Sequence, residues 1–369
     1  MIGCSVITFG QSQQLIITPQ IILPHDSITK VALLNSLNIF LLDKNGKLND
    51  SKVVEKEHYE RYKDFFDIFN NVERSKRYND TLFFKCYLTN VVLQPDKTFK
   101  ITIAYNGISP DKEVINLLNV SLIAKRAENN LYKFYCLFEE NTKNWQSKKI
   151  DNITFYYKEQ FDIKTATDFE KFNKWIAKKL KRQPLKFKYY NCQDIQEVYS
   201  LLGINYDLRR NGEQRSGSFD TDNMVFISGT NSEQYKHDLT HTYFGLLAAD
   251  SLKNWSAEEG FNIYTTDYWG ESSTQIFQYL REYFEKNPTA SVIELFNKNI
   301  TLKYPIPIKY PIAAVIMRKI EREYGFDKVL ELILSGENDN GFFIKLKEIA
   351  NIDKSNFDII FREEIQKNK

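Results

Sequence analysis

The stretch that decides how this chain is interpreted is His237–His241, which reads HDLTH. It holds two of the four histidines in the 369 residues, four positions apart. Residues i and i+4 of an α-helix project from nearly the same face, so two imidazoles at this spacing can bind one metal ion. Upstream, Thr230 and Glu233 have the spacing of a capping box, and we expect them to begin that helix.

A third ligand is available downstream, in the segment Trp255–Asn262, which reads WSAEEGFN. Glu259 in this segment lies 18 positions after His241. A zinc hydrolase needs three protein ligands and one open position for water. A pair of histidines alone on a helix is more often a surface feature than a metal site, and the glutamate is what shifts the interpretation toward a site.

The order and spacing of these residues resemble the signature of the gluzincin metallopeptidases, particularly the peptidase-MA-like group. In that family an HExxH motif is followed by a glutamate in a WxxEGxA-like segment, and His237, His241 and Glu259 match it. The resemblance covers roughly residues 150–369. Three further segments resemble the family's turn and C-terminal pattern, namely Thr265–Gly270, Tyr310–Ile316 and Glu323–Val329.

The resemblance implies a zinc-dependent peptidase that acts on a peptide or protein substrate. Zinc would be held by His237 Nε2, His241 Nε2 and the Glu259 carboxylate, and it would acidify water and polarise a scissile carbonyl. The residue after the first histidine would be the general base. Here that residue is Asp238, whose side chain is one methylene shorter than glutamate, so its carboxylate is withdrawn by roughly 1.5 Å. A misplacement of about 1 Å can cost on the order of 10²-fold in rate.

The aspartate leaves more than one function open. The chain is either a zinc metallopeptidase with Asp238 as a weakened base, or a degenerate peptidase that keeps zinc and binds a peptide or glycan without cleaving it. A third alternative is a purely structural fold that has lost the metal. Tyr310 stands where related domains sometimes place a tyrosine near the oxyanion, so it is a second candidate catalytic residue, with a core tyrosine as the alternative.

Hydrophobic periodicity predicts an α+β protein with two domains. A small helix-plus-sheet leader domain over residues 27–145 precedes a gluzincin-like domain over residues 146–369, which has a mixed sheet and then a mostly helical C-terminal half. The charged, strand-poor stretch 143–151 is the predicted boundary. The leader elements are helices from Ser27 and over 54–70, then strands over 81–88, 100–105 and 132–136.

Residues 1–26 are predicted to be the remnant of a signal segment followed by a linker. Met1–Gly10 is apolar like the end of a signal peptide, but it lacks the basic start. Gly3-Cys4 resembles the end of a lipoprotein cleavage box, which would make Cys4 a lipid anchor, and a frayed terminus is the alternative. The prediction is an extracytoplasmic bacterial protein. No run approaches the ~20 apolar residues of a membrane-spanning helix.

Composition excludes other classes. A net charge of +2 argues against a general nucleic-acid binder, because phosphate binding needs a basic excess. The sequence has no Walker loop, GxGxxG fingerprint, GxSxG elbow or CxxC pair, so nucleotide, acyl-enzyme and zinc-ribbon chemistry have no support. Cys86 and Cys136 lie in strand-like runs and are predicted to be buried. His25 and His58 have no ligand pattern nearby and are predicted to lie at the surface or in loops.

Overall fold

The computed structural model describes residues 15–212, 217–298 and 300–367. The predictions for Met1–Gly10 and for Cys4 lie outside this part of the chain. The described residues form two main β-sheets and a set of helices, which confirms the predicted α+β class. None of the described helices combines the length and the apolar composition that crossing a bilayer requires.

In the first part of the chain, a two-residue strand and three helices are followed by four consecutive antiparallel strands. Helix α1 begins at Ser27 because the Asp26 side chain accepts hydrogen bonds from the backbone N–H groups of Ile28 and Thr29. The helical pattern over 54–70 is interrupted at Tyr62, which gives two short helices instead of one. The elements are β1 (Ile16–Ile17), α1 (Ser27–Asp43), α2 (Lys56–Arg61), α3 (Lys63–Asp67), β2 (Lys85–Leu93), β3 (Phe99–Ile108), β4 (Val114–Arg126), β5 (Tyr132–Tyr135) and α4 (Phe138–Thr142).

The middle of the chain builds a second sheet. The stretch 143–151, predicted to be strand-poor, contains a strand. Its residues are mostly exposed, because it is an edge strand, where lysines are favoured and hydrophobic alternation is weak. The elements are β6 (Gln146–Ile150), β7 (Ile153–Tyr157), α5 (Ile163–Lys179), β8 (Phe187–Asn191), α6 (Ile195–Leu202), β9 (Ile204–Asp207), β10 (Gly217–Asp220) and β11 (Val225–Ser228).

The remainder is mostly helical, as predicted, with two short hairpins inserted. The elements are α7 (Lys236–Gly245), α8 (Trp255–Thr265), β12 (Asp267–Tyr268), β13 (Glu271–Ser272), α9 (Ser273–Lys286), α10 (Val292–Asn297), β14 (Thr301–Lys303), β15 (Ile306–Pro307), α11 (Lys309–Tyr324), α12 (Phe326–Ile333), α13 (Asp339–Ala350) and α14 (Phe357–Lys367).

Each sheet has its own hydrophobic core. The first sheet has the order β1-β2-β3-β4-β5, with β9 also paired to β4, and α1 to α3 pack against it. The second has the order β10-β11-β8-β7-β6, with the three central strands parallel and both edges antiparallel. Its core continues into the C-terminal helices. Strand β9 lies in the segment predicted as the second domain, yet it pairs with the first sheet, so the two halves share a strand pairing.

Helix α11 is the centre of the second core, and α8 crosses it at very short range. Ile312–Met317 in α11 are completely buried. Gly260 of α8 permits the approach, because a Cβ added there would lie 2.8 Å from Ala313 Cβ and 2.9 Å from the backbone nitrogen of Ala314. The contact therefore needs small residues on both helices.

We predict that Gly260→Ala destabilises the fold by about 1–3 kcal/mol, because the added methyl group overpacks the α8–α11 contact. Gly245→Ala is the matched control. Gly245 is an exposed residue at the end of α7 with nothing within 4 Å of an added Cβ, so the higher helix propensity of alanine should leave stability equal or higher. Denaturant unfolding measures both variants. Equal stabilities for the two would contradict the close crossing.

The prediction that His58 lies at the surface is wrong. The residue is in α2 and is only 6% exposed, and its Nε2 accepts a hydrogen bond of 3.1 Å from the Cys136 backbone N–H. Its ring lies against Tyr62, Phe66 and Tyr135. Burial lowers the pKa of His58 to about 4. The predictions for Cys86 and Cys136 are confirmed, since both are buried.

His58 should make stability fall as the pH is lowered. The unfolded chain takes up the imidazole proton near pH 6.5 and the folded chain only near pH 4, so unfolding becomes easier across that window, by roughly 3 kcal/mol in total. Between pH 7 and pH 4, the free energy of unfolding of His58→Gln should therefore fall by about 3 kcal/mol less than that of wild type. The same measurement on His25→Gln, an exposed site, should match wild type. Identical pH dependence for His58→Gln and wild type would contradict this account.

Candidate metal centre

Helix α7 carries both histidines of the HDLTH segment. The expected start at Thr230 is wrong, because α7 begins at Lys236, with Tyr235 at the N-cap position and no side-chain cap. Glu233 instead accepts a 3.1 Å hydrogen bond from the side chain of Asn191 at the end of β8. A tertiary contact has therefore taken the residue that the local capping pattern required.

The opposite face of α7 is fixed to the second core. The Tyr243 hydroxyl donates a 2.6 Å hydrogen bond to Asn173 Oδ1 in α5 and accepts one of 3.0 Å from the Leu185 backbone N–H. Leu239 and Phe244 on α7 are completely buried. With this face packed, the histidines are turned toward α8.

Helix α8 presents two consecutive glutamates, Glu258 and Glu259, to α7. Its first turn is capped by Asn254, whose side chain accepts a 3.0 Å hydrogen bond from the Ala257 backbone N–H. The same side chain donates to the carbonyl groups of Gly336 and Asn338, which fastens the start of α8 to the loop before α13. Both glutamates are buried, at 0% and 5% exposure.

The three predicted ligands converge. His237 Nε2 and His241 Nε2 are 3.0 Å apart. The Glu259 carboxylate lies 3.6 Å from His237 Nε2 through Oε2 and 3.5 Å from His241 Nε2 through Oε1. One potential ligand atom from each residue lies within 4.8 Å of the other two, so this group could hold a metal ion. Glu259 Oε2 is buried and has no hydrogen-bond partner, which leaves it available to such an ion.

Glu258 contacts the far side of the second histidine, a role that the sequence analysis did not identify. Its Oε1 lies 2.6 Å from His241 Nδ1, and its Oε2 lies 3.5 Å from Lys253 Nζ, which is itself 6% exposed. A carboxylate at Nδ1 holds that nitrogen as the donor, so a metal ion that displaced the proton from Nε2 would meet a lone pair directed at the cluster. Glu258 and Glu259 therefore contact opposite nitrogens of one imidazole.

Other side chains restrain the two imidazole rings. Trp255 stacks on His241, with ring centroids 5.1 Å apart and an interplanar angle of 8°. Tyr268 meets His237 edge-on at 5.0 Å. The Asn262 amide nitrogen lies 3.1 Å from His241 Nε2. The Nδ1 atom of His237 is buried without a hydrogen-bond partner, so this ring lacks the carboxylate support that His241 has.

The pKa values of the two histidines are shifted in opposite directions. Burial opposes a charged His241, but hydrogen bonds to Glu258 and Glu259 outweigh it and raise the pKa of His241 to about 10. Burial, and then the neighbouring His241, lower the pKa of His237 to about 3. Without metal, His241 is therefore protonated on both ring nitrogens, with Glu258 at Nδ1 and Glu259 at Nε2, and His237 is neutral.

Asp238 and the three ligand residues line one open cavity of about 430 Å³. Its walls come from the loop before α7 and from the β12–β13 hairpin. Burial raises the pKa of Asp238 to about 6; nearby Glu259 raises it too, while His241 and a hydrogen bond from Tyr235 oppose the shift. Asp238 is thus adjacent to the metal group and exposed to the same space.

Tyr310, the other candidate catalytic residue, is half-buried near the start of α11 and packs against the second core. Its ring centroid lies 6.4 Å from that of Tyr268, whose ring also contacts His237. Tyr310 does not line the 430 Å³ cavity. Burial, and then the Glu259 carboxylate, raise the pKa of Tyr310, and its side chain is hydrogen-bonded to Trp255, which stacks on His241.

A larger cavity, of about 630 Å³, lies on the other side of the second sheet. Arg61 and Glu139 on its rim are joined by a 2.8 Å ion pair. None of the candidate catalytic or metal-binding residues lines this larger cavity, so we take the 430 Å³ cavity as the candidate site.

Comparisons of the chain with protein-family models, with curated proteins and with solved structures find no match. The gluzincin resemblance therefore stays a prediction. The distances, burial and hydrogen bonds of His237, His241, Glu258 and Glu259 are what support a metal centre.

We predict that Glu258→Gln weakens metal binding by about 10–100-fold, because a neutral amide supports His241 less well than a carboxylate does. The affinity is measured by competing Zn²⁺ or Co²⁺ against a chromophoric chelator. Glu285→Gln, at an exposed glutamate of α9, is the matched control and should bind as wild type does. An unchanged affinity in a folded Glu258→Gln protein would contradict the role given to Glu258.

Proposed function

We propose that this chain is a zinc-dependent metallopeptidase in which His237, His241 and Glu259 hold the ion. The observation that carries the proposal is the convergence of these three side chains in an open cavity that Asp238 also lines. The N-terminal sequence supports an extracytoplasmic location, with Cys4 as a lipid anchor, as part of the same proposal.

The donor set fits zinc. Ligand atoms that are about 2.0–2.1 Å from a tetrahedral zinc ion lie about 3.3–3.4 Å from one another. The two Nε2 atoms lie 3.0 Å apart, and the nearest Glu259 oxygen is Oε2 at 3.6 Å for His237 and Oε1 at 3.5 Å for His241. With a single oxygen taken from Glu259, the three ligand atoms all lie within 4.8 Å of one another. Two imidazoles and one carboxylate leave a fourth position open, which is the pattern of catalytic rather than structural zinc.

Bound zinc would supply Lewis acidity, which acidifies water and polarises a carbonyl group. The chain's own contribution to the chemistry comes from Asp238, whose carboxylate would take a proton from water and pass it to the leaving amine. Glu258 would keep His241 oriented during the reaction.

A second candidate function is a degenerate peptidase that binds zinc and a peptide or glycan without cleaving it. The aspartate itself favours this alternative, because its carboxylate is shorter than that of the glutamate in the family motif. The two candidates share the zinc ligands, so zinc binding does not separate them. They differ in what Asp238 does.

Zinc content tests the ligand assignment. The protein should bind one zinc ion, and His237→Ala should lower zinc affinity by more than about 100-fold, since even the loss of an indirect support costs 10–100-fold. His25→Ala, at an exposed histidine, is the control and should keep zinc. Absence of stoichiometric zinc from wild type, or full zinc retention in His237→Ala, would overturn the proposal.

Variants of Asp238 then separate the two functions. If the chain is a peptidase, Asp238→Asn should lower cleavage of a mixed peptide library by about 10²–10⁴-fold with zinc content unchanged. If it is degenerate, wild type should be inactive and Asp238→Glu should create cleavage. Cleavage by wild type that survives Asp238→Asn would contradict the role of Asp238 as base. For wild type and both variants, cleavage is measured by mass spectrometry of the peptide library after digestion.

A further inference from the structure

The hairpin that forms one wall of the cavity has an unusual residue at its tip. Strands β12 and β13 are joined by two residues, Trp269 and Gly270, with Tyr268 paired to Glu271. Both loop residues have positive φ, +53° and +81°, as in a type I′ turn. Such turns favour Asn-Gly or Gly-Gly, and a bulky residue in the left-handed region is strained.

The strained residue faces the candidate metal centre. Trp269 lines the same cavity as His237, His241 and Glu259, and 49% of its surface remains exposed. The preceding residue, Tyr268, is buried against the edge of the His237 ring. The hairpin thus holds one aromatic side chain against a metal ligand and presents the next to the open space. Backbone strain kept at such a position indicates a role that compensates for it.

Glu271, the residue directly after the turn, holds the hairpin in place. Glu271 accepts hydrogen bonds from the Tyr279 hydroxyl, at 3.0 Å, and from Lys303 Nζ, at 2.7 Å. Hydrogen bonding to Lys303 lowers the pKa of Glu271, which keeps this carboxylate charged. Ser272 and Gln275 then form a capping box that begins α9 directly after β13. These contacts tie the hairpin to α9 and to β14.

We propose that Trp269 is a specificity-determining residue that packs against an apolar or aromatic side chain of a peptide held in the cavity. The inference rests on the proposed function, because it takes the bound molecule to be a peptide. A cavity of about 430 Å³ is near the lower end of ligand-site volumes, so it takes a short stretch of a chain rather than a folded partner. A half-exposed indole offers such a peptide a rigid apolar face.

The test replaces Trp269 with asparagine. Asn-Gly is the preferred sequence for this turn, so Trp269→Asn should unfold at the same temperature as wild type or at a higher one. It should nevertheless lower kcat/KM by roughly 10–100-fold for peptides with Phe or Leu beside the scissile bond. Peptides with Gly there should change by less than about 3-fold. Trp269→Phe should retain the preference, and zinc content should not change in either variant.

Tyr304→Asn is the matched control. Tyr304 is an exposed aromatic residue, 89% accessible, at the tip of the neighbouring β14–β15 hairpin. This variant should leave the peptide preference unchanged. An equal loss of kcat/KM across all peptides in Trp269→Asn, or an unaltered preference, would overturn the inference.

The outcome remains informative if wild type cleaves nothing. The proposed cleavage function then fails, and the same peptides are tested for retention on immobilised zinc-loaded protein. Enrichment of Phe and Leu peptides that is lost in Trp269→Asn supports the inference about Trp269. Retention that does not depend on Trp269, a preference for Arg or Lys peptides, or Trp269-dependent binding of glycans instead of peptides contradicts it.

Discussion

The arrangement of this protein's second half depends on the burial of two consecutive carboxylates, Glu258 and Glu259. A buried carboxylate is costly unless it has a charged or hydrogen-bonding partner. Here His241 contacts both, at 2.6 Å and 3.5 Å, and Lys253 adds a second positive charge beside Glu258. Helices α7 and α8 must therefore stay in register, since a shift of either would leave a buried charge without its partner.

The same segment of α8 serves both packing and chemistry. Glu259 points toward α7, and the next residue, Gly260, lets α8 approach the buried helix α11. The two requirements fall on adjacent positions because successive residues of a helix point about 100° apart. A substitution at Gly260 would thus disturb both the α8–α11 contact in the core and the position of Glu259 beside the histidines. This coupling gives a physical reason for the Glu-Gly pair in the segment.

The sequence predicted which three side chains converge but not their surroundings. The two histidines could be predicted because helix spacing alone brings His237 and His241 to one face, and Glu259 because of its spacing from them in the sequence. The contact of Glu258 with His241 could not be predicted in this way, since neighbouring helix residues point about 100° apart and only the packing of α7 on α8 brings one imidazole between the two side chains. The start of α7 was missed because Glu233 bonds to β8, a contact that no local pattern contains.

The fold was predictable at the level of class and of most helices and strands, because hydrophobic periodicity carries that information. The sequence-based prediction was wrong where the burial of a residue, or the pairing of a strand, depended on residues far away in the chain. Strand β6 is polar because it is an exposed edge, and His58 is buried by α2 packing on the first sheet. The pairing of β9 with β4 joins segments that the periodicity treats as separate.

The most direct test of the central claim is zinc K-edge X-ray absorption on the zinc-loaded protein. The account predicts a first shell of nitrogen and oxygen at about 2.0–2.2 Å with two imidazoles, one of which disappears in His241→Ala. A sulfur shell at about 2.3 Å would contradict the account, because it would place the metal at a cysteine. A spectrum that shows two imidazoles both in wild type and in His241→Ala would also contradict the account.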